Sequence, residues 1–151
     1  VLSKAAQFTL TKGNHKAAES MAMKAVTVRD RIEGDDSLST LASVIILADV
    51  LQYRGKYEAA EEMNRRAQEG YEKALRTDHP STLTSVGNLA GVLQHQGKYE
   101  AAEEMSRRAL EGGVKALGTD HPNTLNSLYC LAFLFLRQQQ YEIAFALYLR
   151  A

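Results

Sequence analysis

The chain has one cysteine, two prolines and no net charge, and each shortage removes a class of protein. Cys130 stands alone, so no internal disulfide can form, and a reducing compartment fits. Eighteen basic side chains balance eighteen acidic ones, so no global field draws the chain to nucleic acid or to an anionic membrane. There is no run of eighteen or more apolar residues that could span a bilayer. Val1 is not an initiator methionine, and no basic-then-apolar signal precedes the first charged residues, so the expectation is a piece of a longer cytoplasmic protein. What remains is an ordinary composition, 45% hydrophobic over 151 residues, enough for one compact domain or a short array.

The strongest feature present is duplication. GKYEAAEEM occurs at Gly55–Met63 and again at Gly97–Met105, 42 residues on. Laying 37–78 over 79–120 leaves 29 of 42 positions identical, and the same offset carries HPSTL at His79 onto HPNTL at His121. A fainter copy, GNHKAAESM, begins at Gly13. A fixed period of this length marks a repeat architecture, read here as four copies at about 1–36, 37–78, 79–120 and 121–151, the first and last truncated.

Each copy divides into two helices. Leu41, Val44, Leu47, Ala48 and Leu51 recur at three- and four-residue steps, Gly55 interrupts, and Tyr57, Ala60, Met63, Ala67 and Ala74 resume the period. Pro80 and Pro122 suit the first turn of a helix and push the preceding residue out of the helical region, so new hairpins begin near His79 and His121. The pattern predicts helices over 1–12, 15–33, 38–54, 57–76, 80–96, 99–117, 122–138 and 141–151, with ends uncertain by about 2–4 residues.

Alanine recurs at three places in every copy: Ala6, Ala48, Ala90 and Ala132; Ala18, Ala60, Ala102 and Ala144; Ala25, Ala67, Ala109 and Ala151. A small side chain kept at fixed positions is what close approach of helix backbones requires. In the duplicated segment Glu61 precedes Arg65, and Glu62 precedes Arg66, by four residues, as Glu103 and Glu104 precede Arg107 and Arg108. Such pairs support an exposed helix by about 0.2–0.5 kcal/mol each, so this segment is expected to form a turn and a solvated outer face.

The spacing Leu47-Ala48, Leu51, Gly55, Tyr57, Ala60, Ala67, repeated from Leu89-Ala90 to Ala109, resembles the tetratricopeptide repeat (TPR). The 42-residue period with its DHP junction is similar to the repeats of kinesin light chains and to the arrays at the C-terminal end of NACHT- or NB-ARC-type receptor ATPases. The first copy departs at Thr9, where the others have Leu51, Leu93 and Phe135, and the last at Gln139, where the others have glycine. The resemblance implies an all-α, right-handed superhelical solenoid of antiparallel helix hairpins. It also implies a non-catalytic module that binds a peptide or protein in its concave groove.

Counting from the alanines, the groove candidates are Asp49, Gln52 and Tyr53; Asn88, Gly91, Gln94 and His95; and Asn126, Tyr129, Phe133, Leu136 and Arg137. In related repeats an asparagine before the Leu-Ala pair holds the backbone of a bound peptide. Only Asn88-Leu89-Ala90 matches that motif, the equivalent positions being Lys4, Ile46 and Cys130. The alternative for Asn88 is a helix-surface or interhelical hydrogen bond. Tyr129, Phe133 and Leu136 follow one helical face, either as an aromatic anchor or as interior packing, since LAFLFL is apolar on nearly all sides.

No catalytic, cofactor or metal site is expected. Glu61 and Glu62, as adjacent helix residues, point about 100° apart, which does not suit an acid–base pair. His79 and His121 suit a turn or a helix cap, and His15 and His95 have no ligand partner at metal spacing. Gly87, Gly91 and Gly97 do not follow a strand, so no phosphate loop is suggested. Gly112-Gly113 fits either a bend or close packing, and Cys130 fits a small buried hydrophobe. The near-identical copies favour the sensor region of a NOD-like receptor ATPase. The alternatives are a kinesin-light-chain-like cargo adaptor and a scaffold that self-associates through its terminal repeats, where Phe145, Ala146 and Leu149 replace Glu103, Glu104 and Arg107.

Overall fold

The computed structural model describes Lys4, Ala5, Gln7 and residues 14–149. Among the described residues the fold is all-α. Its helices are α1 (His15–Glu33), α2 (Leu38–Tyr53), α3 (Tyr57–Leu75), α4 (Pro80–His95), α5 (Tyr99–Leu117), α6 (Pro122–Arg137) and α7 (Tyr141–Tyr148). The helix expected over 1–12 lies largely outside the described residues, although Lys4, Ala5 and Gln7 are helical. Ala6, Thr9 and Ala151 also lie outside them. The chain forms two compact units, Val1–Arg76 and Thr77–Ala151. In the first, α2 packs against both α1 and α3; in the second, consecutive helices α4 to α7 pack pairwise, and α4 also touches α6.

The helix starts follow from local chemistry. Asn14 and Ser37 accept hydrogen bonds from the backbone N–H of Ala17 and Thr40, satisfying otherwise orphaned donors. His79 and His121 do the same with Nδ1, accepting from Ser81 N at 3.1 Å and Asn123 N at 3.2 Å, with proline in the first turn of each helix. The hairpin turns close with Lys56 N donating to Leu51 O and Lys98 N to Leu93 O, both at 2.9 Å. This wrap requires a left-handed residue, supplied by Gly55 (φ +70°) and Gly97 (φ +76°). The fourth copy makes the same turn with Gln139 at φ +62°, where a Cβ is strained. Gln139→Gly is therefore expected to raise the unfolding free energy by about 1 kcal/mol. Urea titration of both proteins checks this; a loss of stability would place the strain elsewhere.

The repeated alanines are the packing residues. Ala18, Ala48, Ala60, Ala67, Ala102, Ala132 and Ala144 are fully buried, and Ala25, Ala90 and Ala109 nearly so. In the second unit Ala102 sits among Leu89, Leu93 and Leu134, with Tyr99 and Met105 packed around them. Gly112 and Gly113 serve close approach. A Cβ on Gly112 would stand 2.4 Å from Leu83 Cδ2, and one on Gly113 would stand 2.8 Å from Thr124 Oγ1. Gly70 meets Leu41 in the first unit as Gly112 meets Leu83 in the second.

The duplicated acidic segment is only partly an outer face. Glu62 and Glu104 are exposed, as expected. Glu61 and Glu103, bonded to Arg65 and Arg107 at 2.8 Å, keep only 14% and 23% of their side-chain surface. Glu103 also accepts from Gln138 Nε2 at 3.1 Å, just past the end of α6, while Arg107 lies 5.3 Å over the Phe135 ring. Two periods earlier, Glu19 of α1 pairs with Arg54 and Lys56, just past the end of α2. At Glu19 and Glu103 this charge position thus reaches from the second helix of one hairpin to the turn that ends the first helix of the next. Arg66, expected to pair with Glu62, instead reaches Asp30 at 2.6 Å.

Candidate binding face

In the second unit the first helices of two successive hairpins, α4 and α6, lie side by side. On α6 the buried side is Leu128, Leu131, Ala132, Leu134 and Phe135, which join the core. The opposite stripe is open: Tyr129, Phe133 and Leu136 are 48%, 39% and 38% exposed, and Asn126 and Arg137 are exposed beside them. Helix α6 is therefore not packed on all sides, and the three apolar side chains share a surface. Tyr129 meets the Tyr148 ring at 6.0 Å between centroids. The Arg137 guanidinium lies 5.9 Å over the Tyr99 ring and donates to its hydroxyl at 3.4 Å, which fixes one cationic edge of the face.

Helix α4 adds polar groups. Asn88 and Gln94 are half-buried and His95 is exposed. Among the described residues no side-chain hydrogen bond is seen for the Asn88 amide. Gln94 Oε1 is buried without a partner. An amide donates and accepts together, which matches a peptide backbone. The positions on α4 equivalent to Tyr129 and Phe133 are Gly87 and Gly91, so the apolar surface belongs to α6.

The remaining candidates stand on α2 of the first unit. Tyr53 is 71% exposed and Gln52 half-buried. Asp49 is half-buried, and burial pushes its carboxyl up to about 6. Its equivalents are Gly91 and Phe133, so periodicity alone gives no sign of a desolvated carboxylate. Sequence reasoning also missed an apolar recess of about 530 Å³ lined by Leu136, Tyr141, Glu142, Phe145 and Tyr148. Among the described residues no three His, Cys, Asp or Glu side chains cluster as metal ligands. No described helix is long and apolar enough to cross a membrane. Cys130 is half-buried, and burial raises its thiol pKa, which disfavours the reactive thiolate.

The tetratricopeptide-repeat profile matches residues 1–73, 43–112 and 81–151. The chain belongs to the tetratricopeptide-repeat family. Repeat arrays of this family present helical surfaces that bind peptides or proteins, and they are typically non-catalytic. No curated protein matches the chain. Among solved structures, this TPR chain is similar to a candidate kinesin light chain from Podosopora anserina with nearly identical TPR-like repeats. The two share 27% identity with a TM-score of 0.87, over 97% of this chain and 69% of that one. BtubC (BKLC) from P. vanneervenii shares the fold at 18% identity and a TM-score of 0.87, over 97% of this chain and 58% of that one. The apo form of RapI does so at 19% and 0.80, over 97% and 39%.

Proposed function

We propose that this TPR chain binds an extended peptide segment of a partner protein on the α4–α6 face. Tyr129, Phe133 and Leu136 serve as apolar anchors, while Asn88, Gln94, His95, Asn126 and Arg137 orient the backbone and polar side chains. The observation that carries the reading is the exposed apolar stripe of α6, Tyr129, Phe133 and Leu136, with the half-buried Asn88 amide on the neighbouring α4. Asp49, Gln52 and Tyr53 offer a polar face for further contact on α2. The four repeats at about 1–36, 37–78, 79–120 and 121–151 are taken as one functional array with no catalytic step.

A peptide selected from a random library on the wild-type chain supplies the probe. Truncating an aromatic anchor in a desolvated groove commonly costs about 2 kcal/mol or more, so Phe133→Ala should weaken that peptide at least tenfold. Glu62→Ala, on an exposed position of α3, should leave its affinity unchanged. Unchanged affinity for a folded Phe133→Ala chain would remove this face as the site.

For the parent protein we propose the cytoplasmic sensor region of a NOD-like receptor ATPase, a reading supported by the near-identity of 37–78 and 79–120. A cargo adaptor of the kinesin-light-chain kind is the second reading, favoured by the similarity to the Podosopora anserina protein. The coding sequence upstream of Val1 separates them: a nucleotide-binding motif there supports the receptor, and a long heptad region the adaptor.

A further inference from the structure

Helix α2 carries one charged side chain, Asp49, and the repeat does not need it. One and two periods on, the same place is taken by Gly91 and Phe133, so the hairpin is built equally well without a carboxylate there. Asp49 is nonetheless half-buried, and burial pushes its carboxyl up. Among the described residues no hydrogen bond or ion pair is seen for it, and the nearest cations along the chain, Arg54 and Lys56, are both held by Glu19. A partly desolvated anion that the architecture can replace by glycine lowers stability, and such residues collect where a ligand supplies the missing charge.

The side chains around Asp49 narrow the choice of cation. One helical turn on, Tyr53 presents an exposed ring on the same side of α2; one turn back stands the half-buried Ile45, with the Gln52 amide alongside. The second unit contains a finished form of this arrangement: Arg107 donates to the Glu103 carboxylate at 2.9 Å while its guanidinium lies 5.3 Å over the Phe135 ring. Helix α2 has the carboxylate and the ring without the guanidinium. We propose that Asp49, Gln52 and Tyr53 form a subsite for a basic side chain of a partner peptide, arginine in preference to lysine. The guanidinium stacks on the Tyr53 ring and turns its N–H donors to the Asp49 carboxylate and the Gln52 side-chain carbonyl, while its methylene stem lies along Ile45. A lysine ammonium is a point charge without a planar face, so it holds the carboxylate without stacking on the ring. The subsite lies wholly on α2 and does not depend on the α4–α6 face.

Peptides selected from a random library on the wild-type chain at pH 7.5 supply the probe, and they should share an arginine at one fixed position. Replacing that arginine with citrulline, which keeps the shape and removes the charge, should weaken binding at least tenfold on the wild-type chain and less than about twofold on Asp49→Asn. Lysine at the same position should bind more weakly than arginine; Tyr53→Ala should erase that preference and Tyr53→Phe should keep it. Circular dichroism checks that each variant is folded. Selected peptides without a shared basic residue overturn the proposal. So does equal affinity for lysine and arginine, or a citrulline penalty as large on Asp49→Asn as on the wild type, which would place the arginine elsewhere. The Phe133→Ala chain keeps this site apart from the α4–α6 face. A citrulline penalty that needs Asp49 and is unaltered by Phe133→Ala supports the α2 subsite. A peptide weakened by Phe133→Ala yet indifferent to Asp49→Asn supports the α4–α6 face and overturns the subsite.

Discussion

Replacing Ala102 with leucine is expected to lower the unfolding free energy by about 1–3 kcal/mol. Ala102 is fully buried between Leu89 and Leu93 of α4 and Leu134 of α6, so three added heavy atoms must enter a contact among helices from two hairpins. Ala90, 1% exposed, should respond in the same way. The comparison is Glu104→Ala on the exposed side of α5, expected to change stability by less than about 0.5 kcal/mol. Glu103→Ala should fall between them, since it releases Arg107 and Gln138 together. Urea unfolding of the four variants gives the ranking. Equal losses at Ala102 and Glu104 would mean that the buried and exposed faces of α5 are wrongly assigned.

Asp49→Asn is expected to stabilise the first unit at pH 7.5 by about 1–3 kcal/mol, and the gain should vanish in acid. The carboxyl is pushed from 3.8 to about 6 by burial, so between those values the folded chain holds a proton that the unfolded chain has released. Stability then falls as pH rises through that window, and the whole penalty is present above it. Asparagine removes the charge at every pH. The difference between variant and wild type should be largest at pH 7.5, shrink from pH 6 downward and be small near pH 4. Other carboxylates titrate alike in both proteins and cancel in the difference. A gain independent of pH would show that desolvation of a charge is not the cause. A basic group supplied by a bound peptide would relieve the same penalty, so a peptide contacting Asp49 should bind more tightly above pH 6 than below it.

Helix order was legible because a 42-residue identity repeats each local signal in independent copies. The start of α1 at His15, and of α4 and α6 at proline, follows from the caps and from the period of apolar residues. The alanines could be placed inside because a position that stays small in every copy leaves little else to explain. Periodicity gives an angle around a helix, and it does not say what lies across the seam. Glu61 and Glu62 look alike in sequence, yet Glu61 is mostly covered and Glu62 is not, and the fate of Glu103 depends on Gln138, 35 residues away. Gly112 could be a bend or a contact until Leu83 is placed against it. The stripe of Tyr129, Phe133 and Leu136 was visible as one face, but an apolar helix reads the same whether that face is covered or open. Only the packing of Leu131, Leu134 and Phe135 on the other side decides it.

The central claim is that a peptide docks across α4 and α6, and hydrogen–deuterium exchange with and without the selected peptide tests it most directly. Mass analysis of short fragments should show added protection over 88–95 and 126–137, with 58–66 and 100–108 unchanged. Protection concentrated on those two acidic segments of α3 and α5, with 126–137 exchanging as in the free chain, would contradict it.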